Sequence, residues 1–258
     1  MLLCKSTLGT ILRTSKQSHK SSRFTIHPYS ALTRGDGKSV SLLEAIEGGN
    51  ILAYGDSLTS GTYLHMKGNY CDEGVHPYSL KLQELLNDRV KVIERGMPGA
   101  TTNMLLNRLP RELTRRRVDL VMILGGTNDV YHGLPAEVIS EHVIAMHETV
   151  LDTPQSRAAS MTTSKNLVYT IAMTIPQLGS SYPDERLEAN EQIRAFASSR
   201  SDRVALLELE SAFDQETPEN VRYWSPDGLH LSPIGYDTLG KMLYDVICTH
   251  FVLNPTGE

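Results

Sequence analysis

Four short segments of the chain hold residue types on which nucleophilic catalysis draws. They are Gly55-Asp56-Ser57-Leu58-Thr59, Gly96-Met97-Pro98-Gly99-Ala100-Thr101, Gly125-Gly126-Thr127-Asn128-Asp129 and Asp227-Gly228-Leu229-His230. A serine hydroxyl is a poor nucleophile at neutral pH and needs a base within hydrogen-bond reach. Histidine is the side chain suited to that task. A carboxylate on its other ring nitrogen fixes the tautomer and stabilises the imidazolium as it forms. Asp227 and His230 lie three residues apart, so a single turn can hold both. Each segment alone is a weak signal, because an Asp and a His at that spacing arise by chance in about one chain of this length in three or four. All four, in order and each after a predicted strand or before the last helix, make a far more specific set.

The positioning elements are legible as alternating patterns. Apolar, β-branched runs predict strands over 50–55, 90–94, 118–124, 167–173 and 204–209. Helical spacing of apolar residues predicts helices over 76–87, 102–117, 135–151, 183–200 and 234–249, with Thr101 or Thr102 as the cap of the second. The run 118–124 is apolar except for Asp119, as expected of a central parallel strand covered on both faces. Residues 152–165 read as a polar insertion and 210–233 as a long irregular segment. Strands alternating with helices imply one α/β domain of three layers around a mainly parallel five-stranded sheet. Ligands of such sheets bind outside the carboxyl ends of the strands, where the first three segments fall.

The four segments resemble the sequence blocks of the GDSL or SGNH hydrolases, a family named for its Ser, Gly, Asn and His. The flanking Trp224-Ser225-Pro226 and Leu231-Ser232-Pro233-Ile234-Gly235-Tyr236 are similar to the family as well, and the likeness runs from about residue 50 to about residue 250. The resemblance implies a flavodoxin-like α/β/α fold and hydrolysis of a small-molecule ester or thioester. It implies Ser57 as nucleophile, Asp227 and His230 as the rest of a triad, and Gly99 and Asn128 as oxyanion donors alongside the Ser57 N–H. No metal or organic cofactor is expected. Gly99 has no side chain to block its N–H, and Asn128 offers a neutral amide donor. Asp56 and Asp129, next to these positions, are expected to brace their loops. Rival readings are a deacetylase of an acetylated sugar or other small molecule, a non-catalytic binding module, and a flavin or nucleotide binder. The last needs a phosphate cradle after the first strand, where this chain has one glycine and an acid.

Composition bounds the remaining choices. The chain has 258 residues and a net charge of −5, but residues 1–34 hold six basic residues and no acid, which leaves −11 for residues 35–258. An acidic body gives no support to a nucleic-acid footprint. The basic, Ser/Thr-containing 1–34 stretch fits an organelle transit peptide better than a secretory signal, with a disordered tail as the alternative reading. The expected location is therefore the mitochondrion, with the cytoplasm as alternative, and residues 35–258 are expected to form the hydrolase domain. Three scattered cysteines, Cys4, Cys71 and Cys248, do not make a disulfide framework, and no apolar run is long enough to span a membrane. Gly35-Asp36-Gly37-Lys38-Ser39 ends like a P-loop, but Leu32 stands where its first glycine belongs. His65, Cys71, Asp72 and His76 match no metal-site spacing and read as a mobile loop. His142 and His147 read as surface or boundary residues, and Arg111, Arg115, Arg116 and Arg117 as a solvated helix end.

Overall fold

The computed structural model describes residues 39–68, 70–153, 167–177 and 183–253. The 1–34 extension and most of the 152–165 insertion lie outside the described residues. The central sheet has five strands, β2 (Asn50–Gly55), β5 (Lys91–Gly96), β6 (Leu120–Leu124), β7 (Tyr169–Met173) and β8 (Val204–Leu207), in the order β5-β2-β6-β7-β8. All four pairings are parallel. This is the flavodoxin-like order, and the three-layer α/β expectation holds. Its switch point lies where the chain leaves β2 first toward β5 and later toward β6, at the end of β2 that carries Ser57.

Two faces of the sheet carry two apolar clusters. Ile51 and Ala53 point to one face with Leu120, Met122, Leu124, Ile171 and Met173, beneath α1 (Leu42–Ile46), α3 (Tyr78–Leu86) and α8 (Pro233–Thr249). Leu52 and Tyr54 point to the other with Val121, Ile123 and Ala172, beneath α4 (Thr102–Thr114), α6 (Ala136–Asp152) and α7 (Pro183–Ser199). Burial on both faces is why these strands read as continuous apolar runs rather than alternating ones. Asp119 sits just before β6 rather than within it, where its carboxylate accepts the Asn50 N–H at 2.9 Å and Arg117 at 2.8 Å.

Several smaller elements carry no strong sequence pattern. β1 (Ser39–Ser41) pairs antiparallel with β9 (Phe251–Leu253). α2 (Ser57–Ser60) and α5 (Thr127–Tyr131) are single turns after β2 and β6. The stretch expected as a mobile loop is instead a regular hairpin of β3 (Thr62–Lys67) and β4 (Tyr70–Val75), with His65 opposite Asp72 and Met66 opposite Cys71. His76 leaves this group to bond Asp237 at 2.9 Å. The 210–233 segment contains a short 3-10 turn, Pro218–Tyr223, and packs Phe213 edge-to-face against Tyr223 and Trp224. Two polar readings are corrected. Arg116 is not merely solvated: it bonds the buried Glu112 at 2.6 Å. His147 is fully buried, against Phe196.

His147 carries a stability consequence. Thr170 donates its hydroxyl to the Val121 carbonyl, so it accepts from His147 Nδ1–H at 2.7 Å, while Nε2 has no partner among the described residues. Burial pushes the imidazole pKa from 6.5 down to about 3. Below pH 6.5 the unfolded chain takes up a proton that the folded one refuses, so this stability is full above 6.5 and drains as pH falls toward 3. Urea unfolding should show about 2 kcal/mol lost from this residue between neutral pH and about pH 5. His147→Gln should flatten that slope by the same amount. An unchanged slope in the variant would contradict the assignment.

Candidate active site

Ser57, Gly99 and Asn128 stand on loops that leave the carboxyl ends of β2, β5 and β6. The segment before α8 brings Asp227 and His230 to the same place. His230 Nε2 lies 2.9 Å from Ser57 Oγ, and its Nδ1 lies 2.7 Å from Asp227 Oδ2. With a carboxylate at Nδ1, the neutral ring carries its proton there and Nε2 accepts from the serine hydroxyl. Ser57 is 7% exposed, so the hydroxyl is reachable from one side only.

Asp227 holds its own turn as well as the ring. Its Oδ1 accepts the N–H of Leu229 and of His230, both at 3.0 Å. Burial alone would raise its pKa, but the His230 ring and these two N–H groups outweigh that, and the net direction is down. The carboxylate therefore stays charged. Gly228 between them has φ +65, a left-handed conformation that glycine adopts without strain. Around the turn, the Ser225 N–H donates to the His230 carbonyl at 2.8 Å and Ser225 Oγ to the Leu231 carbonyl at 3.0 Å. Gln215 donates its side-chain amide to the Gly228 carbonyl at 2.8 Å and its backbone N–H to Gln177 Oε1 at 2.7 Å. Ser225 Oγ also accepts the Leu64 N–H at 3.2 Å, which ties the β3 strand to the turn. Of these supports, only the Trp-Ser-Pro flank gave a sequence signal. Gln177 and Gln215 gave none, because a glutamine in a loop has no distinctive pattern.

A latch joins the loops of Gly99 and Asn128. Asn128 donates its side-chain amide to the Ala100 carbonyl at 2.9 Å. The adjacent Asp129, fully buried, accepts Thr102 N–H at 2.8 Å and Thr102 Oγ at 2.6 Å. The expected threonine cap of α4 is thus replaced: Thr101 at the N-cap makes no side-chain bond, and a carboxylate from another loop serves the helix instead. That carboxylate also suits the positive end of the helix dipole. Gly99 lies exposed with φ +76, and a Cβ there would meet nothing within 4 Å. Backbone conformation rather than space is therefore what favours glycine.

Not every aromatic or aliphatic neighbour faces the site. Met173 is buried in the core and Tyr63 packs against it, while Tyr131, three residues after Asn128, is 59% exposed. Among the described residues no group of three or more His, Cys, Asp or Glu gathers as a metal site, and no helix is long and apolar enough to cross a membrane.

Comparison with known proteins follows this geometry. The chain is similar in structure to a lipase/acylhydrolase from Enterococcus faecalis, at 25% identity and a TM-score of 0.60, covering 81% of this chain and 99% of that one. It shares its fold with an aryl esterase from M. smegmatis, at 21% identity and a TM-score of 0.60, covering 78% and 99% of the two chains. It also shares it with a carbohydrate acetylesterase from Sinorhizobium meliloti, at 22% identity and a TM-score of 0.58, covering 76% and 96%. A search of curated proteins found no match. The family model described as GDSL-like lipase/acylhydrolase matches residues 53–238, well over half of the chain, and this protein therefore belongs to the GDSL-like hydrolases.

Proposed function

We propose that this hydrolase cleaves carboxylic esters through an acyl-enzyme on Ser57. The observation that carries the reading is the chain of two hydrogen bonds from Ser57 Oγ through His230 to Asp227. Ser57 Oγ attacks the ester carbonyl carbon while its proton passes to His230 Nε2. Collapse of the tetrahedral intermediate breaks the bond to the leaving alkoxide, which takes that proton and departs as an alcohol. Water then attacks the acyl carbon, gives a proton to Nε2, and the acid leaves as Ser57 recovers its hydrogen. Asp227 stays ionised throughout and stabilises each imidazolium.

The oxyanion would be held by the backbone N–H groups of Ser57 and Gly99 and by the Asn128 amide. One N–H of that amide is spent on the Ala100 carbonyl, which fixes the group and leaves the second to donate. Donors held in place before the reaction cost no reorganisation when the charge develops. The names of the two esterases that share the fold suggest the panel: an aryl ester and an acetylated sugar. A preference for the sugar would favour the deacetylase reading, and a thioester can be assayed beside them.

Ser57→Ala and His230→Ala should each lower phenyl acetate turnover by about 10³-fold or more while the thermal transition is retained. Asn128→Ala should cost about 10²–10³ in kcat, with KM changed little, because the donor acts in the transition state. Steady-state kinetics check both. A Ser57→Ala protein with unreduced turnover, or an Asn128→Ala effect confined to KM, would contradict the respective roles.

A further inference from the structure

Asp56, immediately before Ser57, is fully buried. Its Oδ1 accepts the Leu58 N–H at 2.9 Å and so caps the turn that presents the nucleophile. Its Oδ2 has no hydrogen-bond partner, and the carboxylate makes no ion pair, among the described residues. Asp129 makes the contrast: it is equally buried, yet both its oxygens are bonded by Thr102. A buried carboxylate is costly to keep charged unless hydrogen bonds or an opposite charge compensate. Asp56 has the Leu58 N–H and a weaker contribution from its own N–H, both from the backbone, and the positive charge that reaches it is the imidazolium form of His230.

The groups around it complete the account. Asp129 on α5 opposes its charge, and the phenols of Tyr78 on α3 and Tyr236 on α8 sense it. Farther out, Glu94 on β5 acts on Tyr78, and Asp227 acts on Tyr236. Tyr78 OH lies 3.5 Å from Thr59 Oγ and Tyr236 donates to the Thr62 carbonyl at 2.6 Å, while burial pushes both phenols well up and keeps them neutral. Asp56 is thus the group in this pocket whose charge is least secured.

We propose that Asp56 is a positioning residue of the hydrolytic site: as a carboxylate it steadies the Ser57 turn and favours the imidazolium on His230, and on taking up a proton it loses the second effect. This rests on the triad reading above. Burial, opposed by the Leu58 N–H and His230 and reinforced by Asp129, pushes its pKa up to about 7. The loss would then fall within the working pH range. As pH drops, two events would reduce the rate, protonation of the base itself and neutralisation of Asp56.

The test is the pH dependence of phenyl acetate hydrolysis from about pH 5 to about pH 9. The intact protein should show an acid limb in log kcat/KM that falls about tenfold further than a single protonation accounts for. Asp56→Asn keeps an acceptor for Leu58 but carries no charge. It should reduce that limb to one proton and lower the plateau kcat by about tenfold, the size of one unit in the base's proton affinity. KM should hardly move, and a retained cooperative thermal transition shows that the variant is folded. A one-proton limb in the intact protein would overturn the proposal whether or not the variant folds. A folded variant with the intact protein's profile would overturn it too. Ser57→Ala serves as the control: if it is inactive while the limb shows one proton, this inference alone fails, whereas an active Ser57→Ala removes the triad reading beneath it.

Discussion

The hydrogen bond between Ser57 Oγ and His230 Nε2, 2.9 Å long, joins positions 173 residues apart. No local preference of the chain can make such a contact. It exists because parallel strands bring all their carboxyl ends to one edge, and every loop on that edge starts from a fixed place. β2 places Ser57, β5 places Gly99, and β6 places Asn128. The apolar clusters on the two faces of the sheet hold these strands in register, so core packing is what sets the geometry of the polar edge.

The edge itself is held by polar groups that take no part in bond making. Asp129 and Asn128 fasten the β6 loop to the start of α4, and Ser225, Gln215 and Gln177 fasten the turn of Asp227 and His230. All are bonds between a side chain and the backbone, within the turn segment or between loops. Such bonds cost little when satisfied and much when one partner is removed, which makes the arrangement rigid. Asp56 departs from this rule: one of its buried oxygens has no hydrogen-bond partner among the described residues. A buried carboxylate with fewer donors holds its charge less securely than one with more.

The sequence made the scaffold legible to the extent that burial wrote a pattern. The strands through Leu52, Val121 and Ile171 and the five long helices lie within a few residues of their expected bounds, because each buries a continuous or periodic apolar set. The Ser57, Asn128 and His230 segments were visible as motifs whose residue types chemistry demands. The β3–β4 hairpin was not, since His65, Lys67, Asp72 and Glu73 point to solvent and leave no alternation to read. His147 was misplaced because a histidine becomes a core residue only through a partner such as Thr170, which lies 23 positions away. For the same reason Thr101 is a natural cap on paper, while the acceptor that serves the first N–H of α4 comes from another loop.

The central claim is that Ser57 is a nucleophile activated by His230, and active-site labelling tests it most directly. The intact protein would be treated with a fluorophosphonate, digested, and its peptides mapped by mass spectrometry. The account predicts a single phosphonylated site at Ser57, with labelling strongly slowed in His230→Ala. Labelling at another residue, or none at all in a folded protein, would contradict it.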